Sequence, residues 1–262
     1  MNATRTVAAA LLLAAACSRR PDVPIVTYHS ISTAGDEFTV SGEAFAAALD
    51  GLRNRGFHTV TFHEWLAHAD EGTPLPPNPV IVTFDDGYED AYTTSLPALR
   101  ARGMRAVFFV VTSFVGADES HRIVRDEGGI RRRYLIWPEV RALADAGMEI
   151  GSHGVTHRRL ADLTSEEARA ELTRSKEQLE AILGKRVEIF AYPYNSVRRW
   201  IEPLARDAGY RAAAAGSVHG SADRFALYRI GVYRGTSTEA LLQQLPRAVS
   251  GASSGTPSAQ SQ

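Results

Sequence analysis

Two short stretches carry residue types that can hold a metal ion and move a proton. "SHGVTH" (152–157) places His153 and His157 four apart, with Gly154 directly after the first. "TFDDG" (83–87) places Asp85 and Asp86 side by side, followed by Gly87. Imidazoles at i and i+4 aim at one point when the backbone between them turns helically, and Gly154 permits a sharp bend. Two imidazoles and one carboxylate make an open set for a divalent cation, with positions left for water and substrate. The second carboxylate is then free to act as a base. Like charges this close raise the pKa of one of them, whereas a nearby cation lowers both. Each stretch also has a plainer reading. An H-x-x-x-H pair occurs on ordinary surface helices, and Asp-Asp-Gly serves as a helix cap or turn.

The elements around these residues alternate. Strand signals fall on "PIVTY" (24–28), "NPVIVTF" (78–84), "RAVFFVV" (105–111), "MEIGSH" (148–153), "VEIFAYP" (187–193), "YRAAAA" (210–215) and "LYRIGVY" (227–233). Helical patterns lie between them. Thr61 with Glu64, and Thr164 with Glu167, make capping boxes; Gly56, Gly147 and Gly184 are stops. Pro97 must kink or divide the helix expected over 89–103. The stretch 112–136, with its basic "IRRRY", lacks periodicity and reads as a surface loop or lid. Repeated strand–helix alternation predicts an α/β fold with a largely parallel sheet. In barrels of this kind, reactive residues collect where strands end. His29, Asp85 with Asp86, His153 and Tyr194 follow four different predicted strands. His63 and His68, five apart, read as surface helix residues, and His58, His121 and His219 as structural or solvent-facing.

Length and composition set the frame. A chain of 262 residues with 44% apolar and 23% charged residues is ordinary for a globular protein. Lys plus Arg number 29 against 30 for Asp plus Glu, so no charge excess points to nucleic acid. The N-terminus "MNATRTVAAALLLAAAC" has one early cation, Arg5, then ten apolar residues, 7–16. Ten are too few to span a bilayer, which needs ~20, and suit a secretory signal. Small residues before Cys17, the only cysteine, resemble a lipoprotein signal with lipid on the Cys17 sulfur. The expected organisation is a signal peptide over 1–16, a linker over 17–23, one domain over 24–249 and a disordered polar tail over 250–262. The mature chain is expected outside the cytoplasm, periplasmic or at the cell surface. It would touch the membrane only through that lipid, and no internal disulfide can form.

"TFDDG", "SHGVTH" and "FAYPYN" occur in this order, each at a predicted strand end. Together they resemble the motifs of the NodB-homology polysaccharide deacetylases, carbohydrate esterase family 4, over about residues 22–235. "TYHSI" is similar to the N-terminal segment of the branch acting on exported poly-N-acetylglucosamine, whose motifs are permuted. The resemblance implies a single-domain distorted (β/α) barrel of about seven strands. It implies a divalent metal, zinc foremost with cobalt or nickel as alternatives, held by Asp86, His153 and His157. It makes Asp85 the general base and gives a backbone N–H near Tyr194 to the oxyanion.

This chain departs from the family pattern in places. Ala191 and Tyr192 stand where many members carry an arginine, Asn195 stands where glycine is common, and the late tryptophan and Leu-x-His motifs are not evident. The general acid must then come from elsewhere. His29 is the candidate, because it ends the first strand and a barrel makes its first and last strands neighbours. The activity implied is hydrolysis of N-acetyl groups on an N-acetylglucosamine-type polysaccharide. An O-acetyl esterase or small-amide hydrolase on the same scaffold, or a non-catalytic glycan-binding protein, are the alternatives. Trp137, Tyr88 and Tyr194 offer faces for sugar rings, each equally acceptable as core.

Overall fold

The computed structural model describes residues 23–33, 35–216 and 223–246. Its first elements are β1 (Ile25–Tyr28), β2 (Ser30–Ile31), β3 (Thr39–Val40), α1 (Gly42–Asn54), β4 (His58–Thr59), α2 (Phe62–Glu71) and β5 (Pro79–Phe84). Next come α3 (Leu96–Arg100), β6 (Val107–Val110), β7 (Val124–Glu127), β8 (Ile130–Arg133), α4 (Trp137–Asp145) and β9 (Glu149–Ser152). The last are α5 (Ser165–Leu183), β10 (Ile189–Ala191), α6 (Ile201–Asp207), β11 (Ala212–Ala214), β12 (Ile230–Gly231) and α7 (Thr238–Gln244). The predicted signal segment with Cys17, most of the linker, His219 and the polar tail lie outside the described residues.

Seven parallel strands run in the order β11-β10-β9-β6-β5-β1-β12, and β4 joins β5 from the side. The two ends of this path meet through one short stretch. Leu227 bridges to Ala214 of β11, and three residues later Ile230 pairs with Val26 of β1. One bridge stands where a regular barrel has a ladder, and this is the distortion expected of the fold.

Side chains alternate across a strand, and here the alternation separates two cores. Ile25, Ile81, Val107, Phe109, Ile189 and Ala212 point into the barrel. Val26, Tyr28, Val82, Phe84, Phe108 and Phe190 point outward, under the helices. On the outer side Phe84 stacks between Tyr28 (5.6 Å) and Phe108 (4.8 Å). Each such aromatic contributes about 1.5–3 kcal/mol by leaving water. The apolar runs read as buried strands because both faces are covered. The inner column then carries polar groups upward. Thr27 bonds Thr83 at 2.9 Å, and the next inward positions of β1 and β5 are His29 and Asp85. Gly151 leaves room for the inward ring of Phe109, since a Cβ there would come within 2.5 Å of it.

Local signals were borne out where the chemistry is short-range. Both capping boxes form, and Gly184 stops α5 in the left-handed region at φ 65°. Pro97 divides its helix: a π-type turn over Ala91–Ser95 precedes α3, and the proline sits in the first turn of α3. The stretch read as a loop differs from expectation. It holds an antiparallel hairpin, β7–β8, turned by Gly128 and Gly129 at φ 64° and 85°. Only four residues long on each side and half-exposed, it lacks a clean hydrophobic alternation. The last strand is shorter than its sequence signal, because Leu227 is used on β11 before the chain reaches β1.

Candidate active site

The polar ends of the inner columns open into one cavity of about 980 Å³. Asp85 leaves β5 with its N–H bonded to the Tyr28 carbonyl at 3.0 Å. Asp86 then takes φ 71° and Gly87 φ 77°. This left-handed step, rather than the glycine alone, turns both carboxylates to the same side. His153 follows β9 on the inner phase, and its N–H bonds the Val110 carbonyl at 2.9 Å. The backbone after it is not helical, contrary to the condition read from the i, i+4 spacing. Gly154 at φ 83° reverses the chain and His157 itself sits at φ 60°. Four of the five non-glycine residues with positive φ among those described are Asp86, His157, Tyr194 and Asn195. Such conformations cost about 1–3 kcal/mol each and gather where the fold over-determines a functional geometry.

Asp86 Oδ1 lies 3.4 Å from His153 Nε2 and 3.1 Å from His157 Nε2, and the three donor atoms are within 4.8 Å of one another. His153 Nδ1 contacts the Ala191 carbonyl at 2.7 Å. A carbonyl only accepts, so that nitrogen carries the proton and Nε2 faces the carboxylate. A neutral imidazole there would set its lone pair against anionic oxygen, which a cation between them relieves. Burial pushes the Asp86 carboxyl up, but its bonds to His153 and His157 outweigh this and hold it well below the usual range. Burial pushes His157 down, yet Asp86 raises it above the ordinary histidine value. One carboxylate and two nitrogens in an open arrangement fit a divalent cation.

Asp85 is buried at 3% exposure and both of its oxygens are bonded by Arg229, at 2.7 and 2.9 Å. Burial raises its pKa, but Arg229, His153 and His29 lower it further, so the carboxylate stays ionised below the normal range. Arg229 is itself 7% exposed and also donates to the Ala215 carbonyl (3.3 Å) and to Asn195 Oδ1 (3.2 Å). Sequence reading missed this arginine. Its signal was a lone cation two places after Leu227 in the last strand motif, facing a motif whose own arginine is absent.

Glu171 on α5 was also missed. It accepts from the N–H groups of Val155 (2.7 Å) and Thr156 (2.9 Å) and from the Thr156 hydroxyl (2.5 Å). These three bonds pin the loop between the two histidines. Within "SEEARAEL", nothing separates Glu171 from the helix's solvated charges except its burial at 7% exposure.

His29 lines the same cavity, half-buried, with its ring 5.0 Å from Phe38 and its Nδ1 buried without a partner among the described residues. The expected neighbourhood of first and last strands exists, with Thr27 paired to Gly231. Tyr194, 53% exposed, lies with its ring 4.6 Å from that of His157. Tyr88 lines the cavity but is buried, with its hydroxyl on Glu127 at 2.9 Å. Trp137 packs on the core under the helices and does not line the cavity. His63 is on α2 and exposed, as expected.

The sequence model described as polysaccharide deacetylase matches residues 72–213. YxkH of Bacillus subtilis (strain 168), which carries a polysaccharide deacetylase name, is 28% identical over 83% of this chain and 74% of its own length. Poly-beta-1,6-N-acetyl-D-glucosamine N-deacetylase of Escherichia coli (strain K12) is 29% identical over 49% of this chain, a match spanning 20% of that enzyme. Among solved structures, deacetylase PplD of Streptococcus pyogenes, in complex with acetate, superposes with a TM-score of 0.73 at 21% identity. It covers 86% of this chain and 98% of its own. IcaB of Ammonifex degensii superposes with a TM-score of 0.68 at 22% identity, over 85% of this chain and 96% of its own. At those identities the structures speak for the fold, and the family match adds the chemistry. The chain belongs to the polysaccharide deacetylase family, hydrolases that remove acetyl groups from polysaccharides.

Proposed function

We propose that the protein is a metal-dependent hydrolase removing N-acetyl groups from an extracytoplasmic polysaccharide of the N-acetylglucosamine type. The observation that carries this reading is convergence. Asp85, Asp86, His153, His157 and His29 come from separate parts of the chain and line one cavity. Asp86, His153 and His157 would hold the cation, zinc in our reading with cobalt or nickel as alternatives. When bound, it would supply Lewis-acid polarisation of the acetyl carbonyl and acidify a water.

The chain's own groups divide the remaining work. Asp85 accepts the proton of the attacking water. Arg229 fixes the plane of that carboxylate and keeps it ionised, and each oxygen retains a lone pair beyond the one it gives to the guanidinium. The Tyr194 backbone N–H donates to the oxyanion that develops on the acetyl group. His29, as imidazolium, protonates the departing amine nitrogen. An amide needs that proton more than an ester does, because an amide anion leaves poorly. Exposed rings of Phe38, Tyr194, Tyr228 and Tyr233 surround the cavity and suit stacking on sugar faces.

Export is part of the proposal and rests on the signal pattern ahead of Cys17, with the catalytic domain running over 24–249. No helix among the described residues is long and apolar enough to cross a membrane. Acetate release by the purified protein from N-acetylglucosamine oligomers, with and without chelator and beside Asp85→Asn, tests the activity. Release that survives both treatments would refute this mechanism. Fractionation of cells carrying Cys17→Ala tests the anchor: the variant should leave the membrane fraction.

A further inference from the structure

Two cations on the cavity wall have no part in the proposed deacetylation. Three arginines line the cavity: Arg125, Arg159 and Arg229. Arg229 is neutralised by Asp85. Arg125 and Arg159 have no carboxylate partner among the described residues. Each lies instead on an aromatic ring, Arg125 4.2 Å from the Phe114 centroid and Arg159 4.4 Å from that of Tyr194. Those two rings flank His157, at 6.2 and 4.6 Å. Each guanidinium is therefore one ring removed from the histidine proposed to hold the metal.

The carboxylates of the cavity wall are all engaged elsewhere. Asp36 pairs with Arg132 at 2.8 Å, and Glu127 accepts from the hydroxyls of Tyr88 and Tyr134. Asp86 faces the two histidines. Asp126, next to Arg125, is turned into the hairpin, where it accepts from Gly129 N–H at 2.8 Å. Arg158, next to Arg159, pairs outward with Glu167. A formal net charge of −1 gives no general reason for unpaired cations at this mouth. Stacking on a ring face holds a guanidinium in place and leaves its N–H fork available for bidentate binding of an oxyanion.

We infer that Arg125 and Arg159 form an anion-binding clamp, and that the N-acetylated glycan taken by this enzyme carries an anionic substituent, a carboxylate or a phosphodiester, near the reacting sugar. This rests on the deacetylase reading of the same cavity. The hairpin β7–β8 contributes one arm and the loop after His157 the other. A neutral homopolymer of N-acetylglucosamine would leave both cations without a counter-charge.

The test compares three N-acetylated oligosaccharides of matched length on the purified protein. One is neutral, built of N-acetylglucosamine. One alternates N-acetylglucosamine with N-acetylmuramic acid and carries lactyl carboxylates. One carries a phosphodiester. Acetate release gives kcat/KM, and calorimetry gives Kd for the same sugars whether or not they react. The protein should favour one anionic class over the neutral sugar by on the order of 10- to 100-fold, the range of one or two charge-assisted hydrogen bonds. Which of the two is favoured names the anion's source. Arg125→Gln with Arg159→Gln should abolish that preference, with the anionic substrate losing at least ~10-fold more than the neutral one. Rising salt should erode the preference.

Equal kcat/KM and Kd for neutral and anionic sugars overturn the clamp, as do equal losses on both in the double variant. Anionic binding without acetate release from any sugar would uphold the clamp and defeat the deacetylase reading. Acetate release without anionic preference would do the reverse.

Discussion

Replacing Arg229 by methionine removes the guanidinium that holds both oxygens of Asp85. Asp85 is 3% exposed, so water reaching it from the cavity makes up only part of the lost donation. Breaking a buried ion pair from one side costs about 3–5 kcal/mol, and at this chain length each kcal/mol moves Tm by about 2–4 °C. A fall of roughly 6–20 °C at pH 8 follows from these magnitudes. The pH dependence carries the sharper signature. In the native protein Asp85 is depressed, so its contribution is present above the unfolded carboxyl pKa and is lost as pH falls through the lower folded value. In the variant, burial stays and the guanidinium goes, leaving only His153 and His29 to oppose burial, so the folded pKa rises. The penalty then grows as pH increases. The Tm gap between native protein and variant should be widest at pH 8 and narrower at pH 4, closing only where the native Asp85 itself takes up a proton, below its lowered folded value. The acid limb of kcat/KM should move to higher pH, because the base now needs a higher pH to ionise. Arg229→Lys should fall between, since an ammonium restores charge without the fork. A Tm difference that is the same at both pH values, with an unmoved acid limb, would refute the assignment of Arg229 as the group that sets the ionisation of Asp85.

Glu171→Gln keeps the shape of the side chain but loses the charge behind three bonds to the histidine loop. Metal affinity, read by chelator competition, should fall about 10- to 100-fold while Tm changes little; unchanged affinity would show that the loop holds itself. His29→Ala should lower amide hydrolysis by ~10²–10⁴ and ester hydrolysis far less. Equal losses on paired N-acetyl and O-acetyl substrates would make His29 a structural residue. At the opposite end of the barrel, burial pushes the Glu149 carboxyl up to about 7, against hydrogen bonds from the His63 and Phe62 N–H groups. Its raised pKa makes stability fall as pH climbs from about 4.5 to about 7, by at most ~1.4 kcal/mol per unit. Glu149→Gln should flatten that slope in urea titrations between pH 5 and 7, and an unaltered slope would place the titration elsewhere.

The sequence by itself determined the α/β alternation, the capping boxes, the glycine stops and the strand ends at which His29, Asp85, Asp86, His153 and Tyr194 stand. These are short-range matters. A Thr61–Glu64 box or an apolar run of β-branched residues depends on neighbours within a few positions. The inner column of β5 can even be counted by twos from Ile81 through Thr83 to Asp85. Tertiary structure decided the rest. Arg229 finds Asp85 across 144 positions of sequence, through a stretch that leaves β11 for β1. Glu171 looks like any other charge on α5 until the helix is docked against the loop after His153. The left-handed steps at Asp86 and His157 disfavour themselves locally and persist only because packed strands fix the chain on either side. Local propensity is written residue by residue, whereas the partner of a buried charge is chosen by which strand ends the barrel brings together.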